Sequence, residues 1–99
     1  MLLKHKFGKR AYNSALKRGK IRENFTVETL HAETIEGLSE EVKEVIEASE
    51  SETSEHLNGY TAVVEELADV AIVALTELHR RGVDIEALLH EKMKYNEQR

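Results

Sequence analysis

Apolar residues recur at helical spacing along almost the whole chain. Leu3, Phe7, Ala11 and Ala15 repeat every fourth residue and predict a first helix over residues 4–18, which Gly19 is placed to end. Residues 19–25 (GKIRENF) read as a connection. Thr26 is the expected N-cap of a second helix. In it Val27, Leu30, His31, Ile35, Leu38, Val42, Val45 and Ile46 keep a 3.6-residue period to about Ala48. Gly37 sits inside that stripe at a cost of about 1 kcal/mol relative to Ala, and marks either a break or a close approach by another chain. Residues 49–60 are polar, with a turn signal at Asn58-Gly59. A third helix follows from about Thr61 to Arg81. Arg80 and Arg81 complement its C-terminal dipole, and Gly82 terminates it. Asp84 then caps a fourth helix from 85 to about 97, with Ile85, Leu88, Leu89 and Met93 as its stripe. No segment alternates with period two for long enough to be a strand. The pattern predicts an all-α class, a four- to five-helix bundle formed as a single domain over residues 1–99.

Composition narrows the chemistry. The 99 residues include no Pro, no Cys and no Trp. The lack of Cys excludes a disulfide framework, a thiolate nucleophile and a Cys-based zinc site. The longest apolar run, Val70 to Leu75, is six residues, against about 20 for a membrane span. The start, MLLKHKFGKR, lacks the apolar core of a secretory signal. The expected compartment is the cytoplasm, with no membrane partner. With two Phe and no Trp the chain's own core is expected to be thin, and self-association is expected to complete it.

The net charge of −5 hides an uneven distribution. Residues 1–22 hold 8 Lys/Arg and no acid, which makes a basic N-terminal helix or arm. The remainder holds 6 bases and all 19 acids, a balance of −13. The arm could steer anionic nucleotides, dock on an acidic second subunit or contact nucleic acid. It lacks the interleaved aromatics of a single-strand binder, so nucleic acid ranks last.

Seventeen acids are Glu, and only Asp69 and Asp84 are Asp. Asp69 lies in LADVAIVAL, where the helix is apolar on almost every face, so its carboxylate is expected to be enclosed. An unpaired buried carboxylate costs several kcal/mol at least. Glu66, one turn earlier on the same stripe, adds negative charge. The second helix offers a matching i, i+3 pair, Glu41 and Glu44. If the two helices pack antiparallel, Glu41, Glu44, Glu66 and Asp69 converge, and protons or metal ions must neutralise them. Such an oxygen-only donor set favours Mg²⁺ or Mn²⁺. The plain alternatives are a solvated acidic face for the Glu pairs and an Arg or Lys partner for Asp69.

On the fourth helix Lys92, Asn96 and Arg99 share a stripe beside Tyr95 and could grip phosphate oxygens. The alternative is a basic C-terminus complementing its dipole. His31, central in an apolar stripe, reads first as a satisfied core histidine and second as a catalytic or base-contacting group.

EEVKEVIEA (40–48), followed after a spacer by EELADVAIVAL (65–75), resembles the MazG-like nucleoside triphosphate pyrophosphohydrolases. These belong to the all-α NTP pyrophosphatase superfamily, with the dimeric dUTPases and phosphoribosyl-ATP pyrophosphohydrolases. The E-x-x-E, spacer, E-x-x-D pattern falls on Glu41, Glu44, Glu66 and Asp69. Glu65 directly precedes Glu66, and the i, i+3 spacing to Asp69 favours Glu66. The tail EKMKYNEQR (91–99) resembles the family's phosphate-contacting stretch, which implies that role for Lys92, Asn96 and Arg99. The segment YNSALKRGKI (12–21) is similar to the start of short members.

The resemblance implies a Mg²⁺-dependent enzyme that cleaves a nucleoside triphosphate to a monophosphate and pyrophosphate. It also implies a homodimer or dimer of dimers. Glu41 or Glu44 would act as general base. Two alternatives stand beside it: a non-catalytic helical oligomerisation or regulatory protein, and the same fold acting on a phosphoribosyl nucleotide. The chain ends at Arg99, where many relatives continue with a basic stretch.

Overall fold

The computed structural model describes residues 3–99, with side chains from Phe7 onward, so the side chains of Leu3, Lys4 and Lys6 lie outside the described residues. Every regular element among them is helical: α1 (Leu3–Lys17), α2 (Val27–Glu47), α3 (Ala62–Arg80) and α4 (Ile85–Glu97). The only extended pairing among the described residues is an isolated bridge between Thr53 and Thr61. The class is all-α. None of these helices is long and apolar enough to cross a membrane.

The helix ends follow local chemistry. Thr26 closes a capping box: its hydroxyl accepts the Thr29 N–H at 3.2 Å, and the Thr29 hydroxyl accepts the Thr26 N–H at 2.9 Å. Asp84 caps α4 by accepting the Ala87 N–H at 3.1 Å. Gly82 takes φ +72, which only glycine adopts without strain, and its N–H reaches the His79 carbonyl at 3.0 Å. Arg81 donates from Nη1 to the Glu77 carbonyl at 2.9 Å, so it serves the helix end as its position predicts.

The chain divides into two compact units, one of Met1–Ile21 with Leu75–Arg99 and the other of Arg22–Ala74. In the first, α1 packs against α4. Gly8 allows close approach, since a Cβ there would lie 2.5 Å from the Ile85 Cδ1. Ala11 and Ile85 are buried, and the Tyr12 ring leans on His79 with centroids 4.8 Å apart. Arg80 has a fully buried side chain and pairs with the buried Glu77 at 3.2 Å. Arg81 takes the other Glu77 oxygen at 3.2 Å. A guanidinium out of water needs such a counter-charge.

In the second unit α2 and the start of α3 run antiparallel. Gly37 faces Val73 near one end, and Val63 donates its N–H to the Ser49 carbonyl at 3.1 Å near the other. The two E-x-x-E/D turns therefore come level with each other. Arg22 at the entrance to α2 is paired with Glu33, Nε to Oε2 at 2.8 Å.

Two expectations are corrected here. Gly37 does not break the helix, because α2 is continuous from Val27 to Glu47. Within the chain, what lies beside it is Val73 of α3. Second, the α2 stripe that carries His31 lies open within the single chain. No α2 residue is buried, and Val27 and Ile46 are each 77% exposed. His31 is exposed with them, so it is not a core histidine of the single chain. Within this unit α2 meets only one other helix segment, which covers one side of it.

Gly37→Ala is expected to raise stability by up to about 1 kcal/mol in urea denaturation, the helix-propensity difference between the two residues. The added Cβ would sit 3.5 Å from the Val73 Cγ1, an ordinary van der Waals contact.

Candidate active site

Antiparallel pairing of α2 with α3 brings four acids to one place. Glu41, Glu44, Glu66 and Asp69 each offer a carboxylate oxygen, and these atoms all lie within 4.8 Å of one another. Each helix contributes an i, i+3 pair, one turn apart on one face. Glu44 is exposed, and the other three are half-buried. Among the described residues no Lys or Arg pairs with Asp69.

The cluster is electrostatically unfavourable without a cation. Burial, reinforced by the charges of Glu44 and Asp69, pushes the Glu66 carboxyl from its ordinary 4.5 up to about 7. Its Oε1 is buried with no hydrogen-bond partner among the described residues. Opposite ligands of an octahedral Mg²⁺ lie about 4.2 Å apart, so the observed spacing suits such an ion with little movement. An all-oxygen donor set also suits a hard divalent cation. The residues therefore fit a metal ion, and the cluster could hold one.

Glu65 stands apart from Glu66. Its Oε1 takes the Ser54 hydroxyl, and its Oε2 takes His56 Nδ1 at 2.9 Å. Those two hydrogen bonds hold its carboxyl below the usual range, and the same carboxylate raises His56 above the usual histidine value. The choice between neighbouring acids is thus made by their partners. Glu65 is satisfied by the loop, and Glu66 faces the other carboxylates. Ser54 and His56 were not among the residues the sequence singled out. The available signal was the S-x-H-L order, in which the serine oxygen can accept the N–H groups two and three residues on, as it does at 3.2 and 3.0 Å.

Lys92, Asn96 and Arg99 belong to the other compact unit and are exposed. The structure groups two of them around an aromatic ring. Lys92 Nζ lies 4.9 Å from the Tyr95 centroid and Arg99 Cζ 5.7 Å from it. Arg99 lies past the end of α4, where its N–H meets the Asn96 carbonyl at 3.4 Å.

The family profile described as phosphoribosyl-ATP pyrophosphohydrolase matches residues 10–96, which include all four acids. The chain belongs to the phosphoribosyl-ATP pyrophosphohydrolase family. No curated protein matches it, nor does any solved structure. The phosphoribosyl-ATP pyrophosphohydrolase family shares the all-α NTP pyrophosphatase superfamily with the MazG-like enzymes that the motifs resemble. The protein is therefore an enzyme, a nucleotide pyrophosphohydrolase acting on an acid anhydride. Membership in this enzyme family overturns the non-catalytic alternative.

The raised Glu66 carboxyl has a signed consequence for stability. Between about pH 4.5 and 7 the folded state holds a proton that the unfolded state has released. Its contribution is therefore complete at the acid end and is lost as pH rises through that window. In chelator-treated protein the melting temperature is expected to drop across the window by more than it does in Glu66→Gln. Persistence of the full drop in Glu66→Gln would assign it to other groups.

Proposed function

We propose that the enzyme hydrolyses a nucleoside triphosphate between its α and β phosphates, releasing a monophosphate and pyrophosphate, with Mg²⁺ (or Mn²⁺) held by Glu41, Glu44, Glu66 and Asp69. The observation that carries this reading is the convergence of the four carboxylates within 4.8 Å, in a family of pyrophosphohydrolases. When bound, the ion supplies positive charge at the phosphate oxygens and acidifies a water.

The remaining roles belong to the chain. Glu41 or Glu44 accepts the proton of the attacking water, and Glu44 is the more accessible of the two to solvent. Lys92, Asn96 and Arg99 offset charge on the β and γ phosphates. His31, exposed on α2, is the candidate contact to the base. The basic residues of the first 22 draw anionic substrate toward an otherwise acidic protein.

Self-association completes the protein in this reading, as a homodimer or dimer of dimers. The support is the apolar face of α2 and α3, where Val27, Ile35, Val42, Ile46 and Leu67 are all exposed. The resemblance to MazG-like enzymes supports a housekeeping role on the cytoplasmic nucleotide pool.

A second reading keeps the chemistry and changes the substrate to phosphoribosyl-ATP. The family match itself favours it. Both substrates carry the same triphosphate, so the reacting group does not separate them.

Purified protein with Mg²⁺, the common ribo- and deoxyribonucleoside triphosphates and phosphoribosyl-ATP, scored for pyrophosphate, separates the two readings. Preference for phosphoribosyl-ATP would move the assignment to the second. In either case Asp69→Asn is expected to lower pyrophosphate release by about 100-fold or more, as loss of a metal ligand should. Undiminished release would remove the cluster from the mechanism.

A further inference from the structure

The loop between the two acid-bearing helix segments converges on one buried hydroxyl. Ser54 is only 6% exposed, inside a run of residues so polar that burial is not expected. Its Oγ accepts the N–H groups of His56 and Leu57 at 3.2 and 3.0 Å. Two accepted bonds fix the hydroxyl, and its one proton goes to Oε1 of Glu65. His56 Nδ1 takes the other Glu65 oxygen at 2.9 Å. Backbone bonds fasten the same loop to the start of α3. Ser54 N–H meets the Tyr60 carbonyl at 2.8 Å, and Ala62 N–H meets the Glu52 carbonyl at 2.9 Å.

This constellation is not a nucleophilic triad. In such a triad the hydroxyl bonds to the imidazole that takes its proton. Here the hydroxyl donates to the carboxylate, and the imidazole lies on the carboxylate's other oxygen. The arrangement grips Glu65.

Glu65 and Glu66 are identical acids on adjacent positions, about 100° apart around the helix. Turning or fraying of the first turns of α3 by about that angle would take Glu66 away from Glu41 and Glu44 and bring Glu65 toward them. We propose that Ser54 and His56 are positioning residues for the metal site: by holding both oxygens of Glu65 they set the rotation of α3 and keep Glu66 as the acid presented to the cluster. The proposal rests on reading the cluster as a metal site. Neither residue touches the ion or the substrate. They act through Glu65, a kind of outer support whose loss typically weakens metal binding by about 10- to 100-fold.

Mn²⁺ alone, titrated into the full chain and followed by the loss of its free EPR signal, tests this. Ser54→Ala, confirmed helical by circular dichroism, is expected to bind Mn²⁺ about 10-fold more weakly than the parent, and His56→Ala several-fold more weakly. The His56 side chain is 72% exposed, so its removal leaves the fold intact even if Ser54→Ala does not fold. A structural role alone would lower the melting temperature and leave the affinity of the folded protein unchanged. Parent-like Mn²⁺ affinity in His56→Ala, and in Ser54→Ala if it folds, overturns the proposal. Glu66→Gln is the control for the underlying reading. If it too binds Mn²⁺ like the parent, the metal site itself is wrongly placed, a failure distinct from that of the positioning role.

Discussion

Mutual repulsion among four carboxylates is the constraint around which this protein is organised. Held within 4.8 Å, they oppose the pairing of the helices that carry them. The antiparallel pairing persists because other contacts maintain it: the Gly37–Val73 approach at one end and the Ser49–Val63 hydrogen bond at the other. Burial, with that repulsion added to it, appears as the raised Glu66 carboxyl. It is the kind of strain that a divalent cation relieves and an apolar core does not, which ties the stability of α2 and α3 to their chemistry.

Much of this was legible in the chain. The 3.6-residue period located all four helices, and Thr26, Gly82 and Asp84 marked ends that the structure reproduces within a residue or two. Asp69 was informative because an apolar helix has no structural use for a short acid. Its i, i+3 relation to Glu66 then pointed to the partner pair on α2. Helical geometry is local, so sequence spacing carries it well.

Features set by nonlocal packing were less legible. Periodicity says which residues share a face, not what covers that face. His31 therefore read as core although α2 leaves it exposed. The cost of Gly37 suggested a break, yet a side chain from α3 fills the space beside it. The loop was the largest gap. A serine in a loop of mostly polar and turn-forming residues has no pattern of its own, and its burial becomes visible only when Glu65 is brought back against it.

The raised Glu66 carboxyl gives a cluster that could hold a cation a second occupant, the proton. With its midpoint near 7, a substantial fraction of the metal-free protein carries a proton in the place a cation would take. Uptake of a cation there would discharge acid into the surroundings, in an amount that shrinks as the medium becomes more alkaline. Below that midpoint, a cation and a proton would compete for the same place. A modest acidification acts on the free protein in the same direction as depletion of the cation.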